Sequence, residues 1–479
     1  HTTMNLYIFA IGGSGSRVLR SLTMLLASGI ETNNNIIPII IDPDTSNGDL
    51  DRTVTAMRMY ETVRNELKFD DCYKNKFFSA NVTALNNDGN YLLPLVGTSG
   101  INFDKYLGLG AMSQENQALT KMLFSNSNLS STMDVGFKGN PNIGSIVLNQ
   151  FTQSKDFKNF EANFVAGDKV FIISSIFGGT GASGFPLILK TLRTSSNTAL
   201  ASAPIGAVSL LPYFNLKTDN QSSIQADSFI TKTKAALNYY EKNVTGNDTL
   251  NDMYYLGDDF SSHGYDNCEG GTNQANDAHF IELLAALSVL DFDKKSFTSP
   301  RGNTNFHEFG LKNQITDTII LSDLGSKTYE IIARPLTMMA ILNSYLNNRT
   351  NAHRASQKWA KDRNSILGDS LYRSNFFANY LSFKSMFEEW LNELEDNKVG
   401  FAPFNHDGDI GKDGLAKVKA ITPNYPGINP FRKKGYDLLD ENLGKKLGAV
   451  PANSSAPVTF MEVFCETLSE ICSVNLNIQ

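Results

Sequence analysis

Residues 4–30, MNLYIFAIGGSGSRVLRSLTMLLASGI, and residues 35–45, NIIPIIIDPDT, carry the reading that decides the fold class. Residues 4–11 form a short apolar run of β-favoured types, and Gly12-Gly13-Ser14-Gly15-Ser16 follows at once. Residues 17–30 then place apolar side chains at helical spacing. A second apolar run at 36–41 ends in Asp42-Pro43-Asp44-Thr45, the acidic turn residues expected where a parallel strand leaves the carboxyl edge of a sheet. Strand, glycine loop, helix and strand make a βαβ unit.

The pattern recurs downstream. KVFIISSIF at 169–177 reads as a buried strand, GGTGASG at 178–184 as a loop, and FPLILKTLR at 185–193 as a helix with Pro186 in its first turn. Further strands are expected at 205–211 and 253–256, and a long buried central helix at about 275–290. Alternating strands and helices predict an α/β fold with a mostly parallel sheet flanked by helices, over residues 4–293. Residues 294–398 read as mainly helical, with a strand at 317–321 and helices at 335–346 and 383–394. Residues 399–479 read as a long irregular Gly/Pro-rich segment ending in a helix at 459–472.

Composition bounds the partners. The 479 residues carry a formal net charge of -7 with no long Lys/Arg run, which argues against sequence-independent binding to nucleic acid and against an anionic lipid surface. No apolar stretch reaches the roughly 18 residues of a membrane span, so no direct membrane insertion is expected. The start lacks the features of a secretory signal. The four cysteines, Cys72, Cys268, Cys465 and Cys472, show neither a CxxC pair nor a disulfide framework, and no metal site is expected. A reducing, cytoplasmic setting fits.

A glycine-rich turn opening a helix offers unpaired backbone N–H groups and a positive dipole end to an anion, and glycine removes the Cβ that would hold phosphate away. Two such loops in one parallel sheet can aim two helix N-termini at one crevice and share a polyphosphate. Competing motifs fail. No G-x4-G-K-[S/T] loop is present, and a dinucleotide fingerprint read from Gly13 and Gly15 meets Val18 where its third glycine belongs.

The order of motifs resembles the tubulin/FtsZ superfamily of GTP-binding proteins. AIGGSGSR at 10–17 is similar to that family's first phosphate loop, and IDPD at 41–44 stands where its second strand ends. GLGA at 108–111 and FIISSIFGGTGASGFP at 171–186 resemble the stretch before the third loop and the glycine-rich signature. IGAVSLLPYF at 205–214 resembles the strand and loop after it, and ANDA at 275–278 the start of the central helix. Phe177 and Ser183 depart from the family's glycines, the gap between Gly110 and Gly178 is longer than usual, and the chain after Asp293 shows no match.

The resemblance implies GTP or GDP with Mg²⁺. It assigns phosphate contacts to Gly12, Gly13, Ser14, Gly15, Ser16 and Arg17, and again to Gly178, Gly179, Thr180, Gly181 and Ala182, with Gly108, Gly110 and Ala111 on a further loop. Asp42 and Asp44 suit ribose hydroxyls or the cation by their chemistry, Asp219 falls to the ribose, and the resemblance gives Asn276 to the base. It further implies a GTPase assembling head to tail, a heterologous contact that yields filaments. Asp291 and Asp293 would then act on the next subunit's nucleotide. The alternative is a non-polymerising nucleotide-binding scaffold or sensor that regulates a partner protein. Local readings stand beside these: Asn276 as a helix cap, Asp42 to Asp44 as a turn, Arg17 as a helix-surface charge, Asp291 and Asp293 as surface carboxylates.

Overall fold

The computed structural model describes residues 3–42, 48–86, 89–93, 109–123, 151–176, 179–211, 250–256, 276–297, 304–309, 318–397, 400–411 and 413–479. They divide into two compact units, one of His1–Ser21, Thr32–Thr55 and Val82–Gly310, the other of Leu22–Glu31, Ala56–Asn81 and Leu311–Gln479. This division differs from the sequence boundaries at 293 and 398.

The first unit is built on a six-stranded, wholly parallel sheet: β1 (Asn5–Ile11), β2 (Asn35–Ile41), β3 (Lys169–Ser175), β4 (Ile205–Leu210), β5 (Asp252–Leu256) and β6 (Asn305–Phe309). The order is β2-β1-β3-β4-β5-β6, and isolated parallel bridges from Ile36 to Val82 and from Ile40 to Leu92 continue it beyond β2. The strands are apolar runs because both faces are covered. On one face Tyr7, Phe9 and Ile11 join Phe157 and Phe160 of α4 (Lys155–Asn163) and Phe185, Ile188 and Leu192 of α5 (Gly179–Arg193) in one buried cluster. On the other, α1 (Gly12–Ala27) crosses close to Ala10, and Phe292 of α7 (Phe280–Lys294) lies 5.5 Å from the ring of Phe171. Between them the chain also forms α2 (Gly48–Arg64), α3 (Gln114–Leu123) and α6 (Thr198–Ala201).

Four local expectations change. Helix α1 starts at Gly12 with no intervening loop, because Gly12 at φ +72° turns the chain within one residue. Helix α5 likewise starts at Gly179, so Pro186 lies inside the helix rather than in its first turn. The central helix runs from Phe280 to Lys294, later than 275–290. Edge strand β6 is an addition to the expected strands: NFHEF carries no apolar run, and Phe306 is exposed.

The second unit is mainly helical, with one two-stranded parallel pair of β7 (Thr318–Ile319) and β8 (Gly400–Phe401). Its helices are α8 (Ser326–Asn348), α9 (Asn351–Ser356), a kinked α10 (Lys358–Ser365), α11 (Asp369–Tyr372), α12 (Asn375–Asp396), α13 (Gly435–Leu447) and α14 (Ala456–Val474). Aromatic contacts of Phe464 with Phe460, Tyr345 and Trp359 centre its core. Helix α13 occupies part of the segment expected to be irregular.

Burial separates the described thiols. Cys465 and Cys472 are buried and pushed up to about 12 by desolvation, whereas Cys72 is exposed. In the native protein a maleimide is expected to label Cys72 within minutes and to spare Cys465 and Cys472 until denaturant is added, as read by peptide mass spectrometry. Equal labelling of all three would contradict this packing.

Candidate functional site at the sheet's switch point

The chain leaves β1 to pair β2 on one side and leaves β3 to pair β4 on the other, so the order reverses between β1 and β3. In open parallel sheets the crevice at such a point, outside the carboxyl ends of the strands, is where ligands bind. Helices α1 and α5 start one and four residues after β1 and β3 end, at Gly12 and Gly179. Neither carries an acidic residue in its first turn, so both positive ends remain open to an anion, whereas α2 carries Asp49 and Asp51 in its own.

Gly12, Gly13, Ser14, Gly15 and Ser16 all fall in the first turns of α1, with Gly13 less buried than its neighbours. Gly15 has a packing reason as well: a Cβ there would stand 2.8 Å from the carbonyl carbon of Ala10, so glycine sets how closely α1 lies on β1. The backbones of Gly179, Thr180, Gly181 and Ala182 form the start of α5. Gly110 and Ala111 are exposed in the short 3-10 turn Leu109–Ala111, and Asp42 is buried at the end of β2. Asp44, Gly108, Gly178 and Asp219 lie outside the described residues, as does Ala275 of the quoted ANDA stretch.

Arg17 is not a surface charge. It is buried, its Nη1 lies 2.9 Å from Asp49 Oδ2, its Nε lies 2.6 Å from Glu282 Oε2, and its Nη2 donates to the Ser14 hydroxyl. Both carboxylates are fully buried. Asn276 joins the same knot: its Nδ2 and backbone N–H donate to Asp49 at 3.0 and 3.1 Å, and its carbonyl accepts from Arg52. The cap of α7 is His279, whose Nδ1 accepts from the Ile281 N–H while Glu282 accepts from the His279 N–H. Burial, with the Arg17 charge beside it, pushes this imidazole down to about 3, which keeps it a neutral acceptor. Asn276 is therefore not the helix cap.

The far end of α7 lies at the amino edge of the sheet. Lys169, the first residue of β3, donates Nζ to the carbonyls of Asp293 and Lys295 at 3.0 and 2.5 Å and so closes the helix end. Burial pushes its ammonium down, partly offset by Asp293 and Asp252. Asp293 is buried and accepts from the Asn33 N–H at 2.6 Å and Asn34 Nδ2 at 2.9 Å. Asp291 is half-exposed, takes a hydrogen bond from the Tyr254 hydroxyl, and has Lys295 Nζ at 3.4 Å. Burial, and then the Asp291 bond, push the Tyr254 phenol up, so it remains a donor. Behind it, Asp252 binds Lys295 at 2.7 Å and His307 at 2.8 Å.

Sequence reasoning missed Asp49, Glu282, Arg52, Lys169, Tyr254 and Lys295. Only Glu282, three residues after His279, carried a local signal. Among the described residues no group of three or more His, Cys, Asp or Glu side chains is arranged for a metal ion. No described helix is long and apolar enough to cross a membrane.

No family model matches the chain, and no curated protein matches it in sequence. Solved structures do, and they are of the CetZ and FtsZ kind that the glycine motifs resemble. A CetZ from Methanosaeta thermophila is 14% identical, with 60% of this chain and 54% of that one covered and a TM-score of 0.30. CetZ2 from Haloferax volcanii, a GTPγS-bound protofilament, is 12% identical with 60% and 58% covered and a TM-score of 0.29. An FtsZ variant from M. jannaschii is 14% identical with 53% and 47% covered and a TM-score of 0.27. The chain spans about half the length of the solved structures it matches. At such scores the likeness carries no argument about residues or activity.

Proposed function

We propose that the chain binds a guanine nucleotide at the carboxyl edge between β1 and β3 and hydrolyses GTP when a second copy covers that face. The carrying observation is the pair of glycine-led helices at the switch point, both with positive ends free of acidic side chains. Backbone N–H groups of Gly13 to Ser16 and of Gly179 to Ala182 are the phosphate donors. Arg17 and Asn276 support the site from beneath: their polar groups bind Asp49 and Glu282, and they fix α1, α2 and α7 around it. With Asn276 so placed, the preference for guanine rests on the motif resemblance. Bound Mg²⁺ would supply charge neutralisation between phosphates, with Asp42, which follows β2, a described candidate carboxylate.

Asp291 lies about 17 Å along helix α7 from its start, at 1.5 Å per residue, so it stands far from its own chain's phosphate donors. A carboxylate there serves hydrolysis only in trans, as a base toward the water of a neighbouring copy's nucleotide, held for that role by Tyr254 and Lys295. Asp293 is committed to Asn33 and Asn34 and acts structurally. This internal commitment also favours, as second reading, a nucleotide-binding scaffold that does not turn over.

Phosphate release against protein concentration separates the two. Trans activation predicts a rise steeper than linear, loss of at least 100-fold in Asp291→Asn with GTP affinity kept, and a destabilised Asp293→Asn, by about 1–3 kcal/mol, since an amide cannot accept both bonds as well. Linear dependence, or normal turnover in Asp291→Asn, contradicts trans activation, and nucleotide binding with no phosphate release at any protein concentration leaves the scaffold.

A further inference from the structure

The loop at 421–434 of the second unit, ITPNYPGINPFRKK, holds two large apolar side chains fully in water: Ile428 is 101% exposed and Phe431 90%. The loop is braced internally. Arg432 Nη1 donates to the carbonyls of Gly427 and Asn429 at 3.0 and 3.3 Å, and the Phe431 N–H donates to Asn429 Oδ1 at 2.9 Å. Asn424 and Asn475 exchange two hydrogen bonds of 2.7 Å at its base, and the Gly435 N–H donates to the Tyr425 hydroxyl at 2.9 Å. Gly427, at φ +108°, makes the reversal. The tip is thus a built projection whose apolar groups gain nothing within this chain.

Charge marks what it meets. Arg432, Lys433 and Lys434 follow Phe431 directly. The nearby acids are matched: Glu441 by Lys445 at 2.8 Å and by Lys433 at 3.9 Å, Glu470 by Lys446 at 3.3 Å, and Asp437 by Arg349 at 3.1 Å. Among the described residues Arg432 and Lys434 form no ion pair, so this patch is basic within a chain of net charge -7. Val474, 47% exposed, lines the same hollow as Phe431 and Lys433.

We propose that this loop docks the protein on an anionic phospholipid bilayer, with Ile428 and Phe431 inserted below the headgroups and Lys433 and Lys434 level with the phosphates. A convex apolar tip flanked by cations suits a deformable interface with negative potential, whereas a protein partner would need a deep apolar recess ringed by acids. The contact is peripheral and salt-sensitive, and it reverses the expectation drawn from whole-chain charge.

The test is sedimentation with vesicles of phosphatidylcholine alone and of phosphatidylcholine with phosphatidylglycerol, for the full chain, Ile428→Ser/Phe431→Ser and Lys433→Glu/Lys434→Glu. These side chains are exposed, so unchanged thermal unfolding is the folding control. Expected is partition to the anionic vesicles only, reduced about tenfold or more in each double variant. A Phe431→Trp variant should shift its emission to the blue on adding anionic vesicles. Absent partition, or partition unaffected by the variants, overturns the proposal. So does loss of self-association in Ile428→Ser/Phe431→Ser without any vesicle binding, which would place a second copy on the loop.

Discussion

Gly15→Val is expected to remove nucleotide binding and to destabilise the first unit more than any other single change at the site. Even the Cβ of alanine would stand 2.8 Å from the Ala10 carbonyl carbon and 3.1 Å from its Cα, and these are backbone atoms of the buried strand β1 that cannot swing aside. Helix α1 must lift from the sheet, which moves the N–H groups of Gly13 to Ser16 away from the crevice. Gly15→Ala should cost about 3 kcal/mol, the upper end for overpacking, lowering Tm by roughly 6–12 °C for a unit of this size. The valine variant should exceed that. Calorimetry that finds Gly15→Ala as stable as the parent would show that the close approach of α1 is not required.

The second large effect is expected at Arg17. Arg17→Met keeps most of the buried volume but leaves Glu282 Oε2 and Asp49 Oδ2 without a cation they approach at 2.6 and 2.9 Å. Removing one partner of a buried ion pair costs about 3–5 kcal/mol, chiefly from the charge left behind. Arg52 still reaches Asp49, though it is one-quarter exposed, and the Glu282 charge is the one the second substitution removes. Arg17→Met/Glu282→Gln should therefore recover a substantial part of the stability, as measured by urea unfolding. A single variant within 1 kcal/mol of the parent, or a double variant weaker than the single, would contradict the charge account. The same knot fixes the start of α7 through Asp49 and Asn276, so the single variant should also weaken nucleotide binding.

The contrast between these sites shows what a chain reveals before it folds. Strands β1, β2 and β3 were legible because a parallel strand covered on both faces is a nearly unbroken apolar run. The glycine stretches were legible as anion sites but not as helix starts, because whether glycine extends a loop or turns directly into a helix depends on a φ that no pattern encodes. Strand β6, NFHEF, mixes three polar residues with two phenylalanines at an edge and carries no such run. Helix α13 hid behind Gly435 and Gly444, although Tyr436, Leu439, Leu443 and Leu447 keep a helical stripe. Arg17 illustrates the sharper limit. Its carboxylate partners lie 32 and 265 positions away, and a surface charge does not describe its place. Asp291 and Asp293, two residues apart, point to opposite fates, one half in water under Tyr254 and one buried against Asn33, which local sequence cannot separate.

The central claim is that the crevice between β1 and β3 holds a polyphosphate on the N-termini of α1 and α5. Calorimetric titration with GTP, GDP and guanosine, for the parent and for Gly181→Asp, tests it most directly, because a carboxylate placed at the start of α5 opposes phosphate. The account predicts one site per chain, GTP and GDP binding at least 100-fold tighter than guanosine, and loss of that binding in Gly181→Asp at unchanged thermal stability. Guanosine binding as tightly as GTP, or Gly181→Asp binding GTP as the parent does, would contradict it.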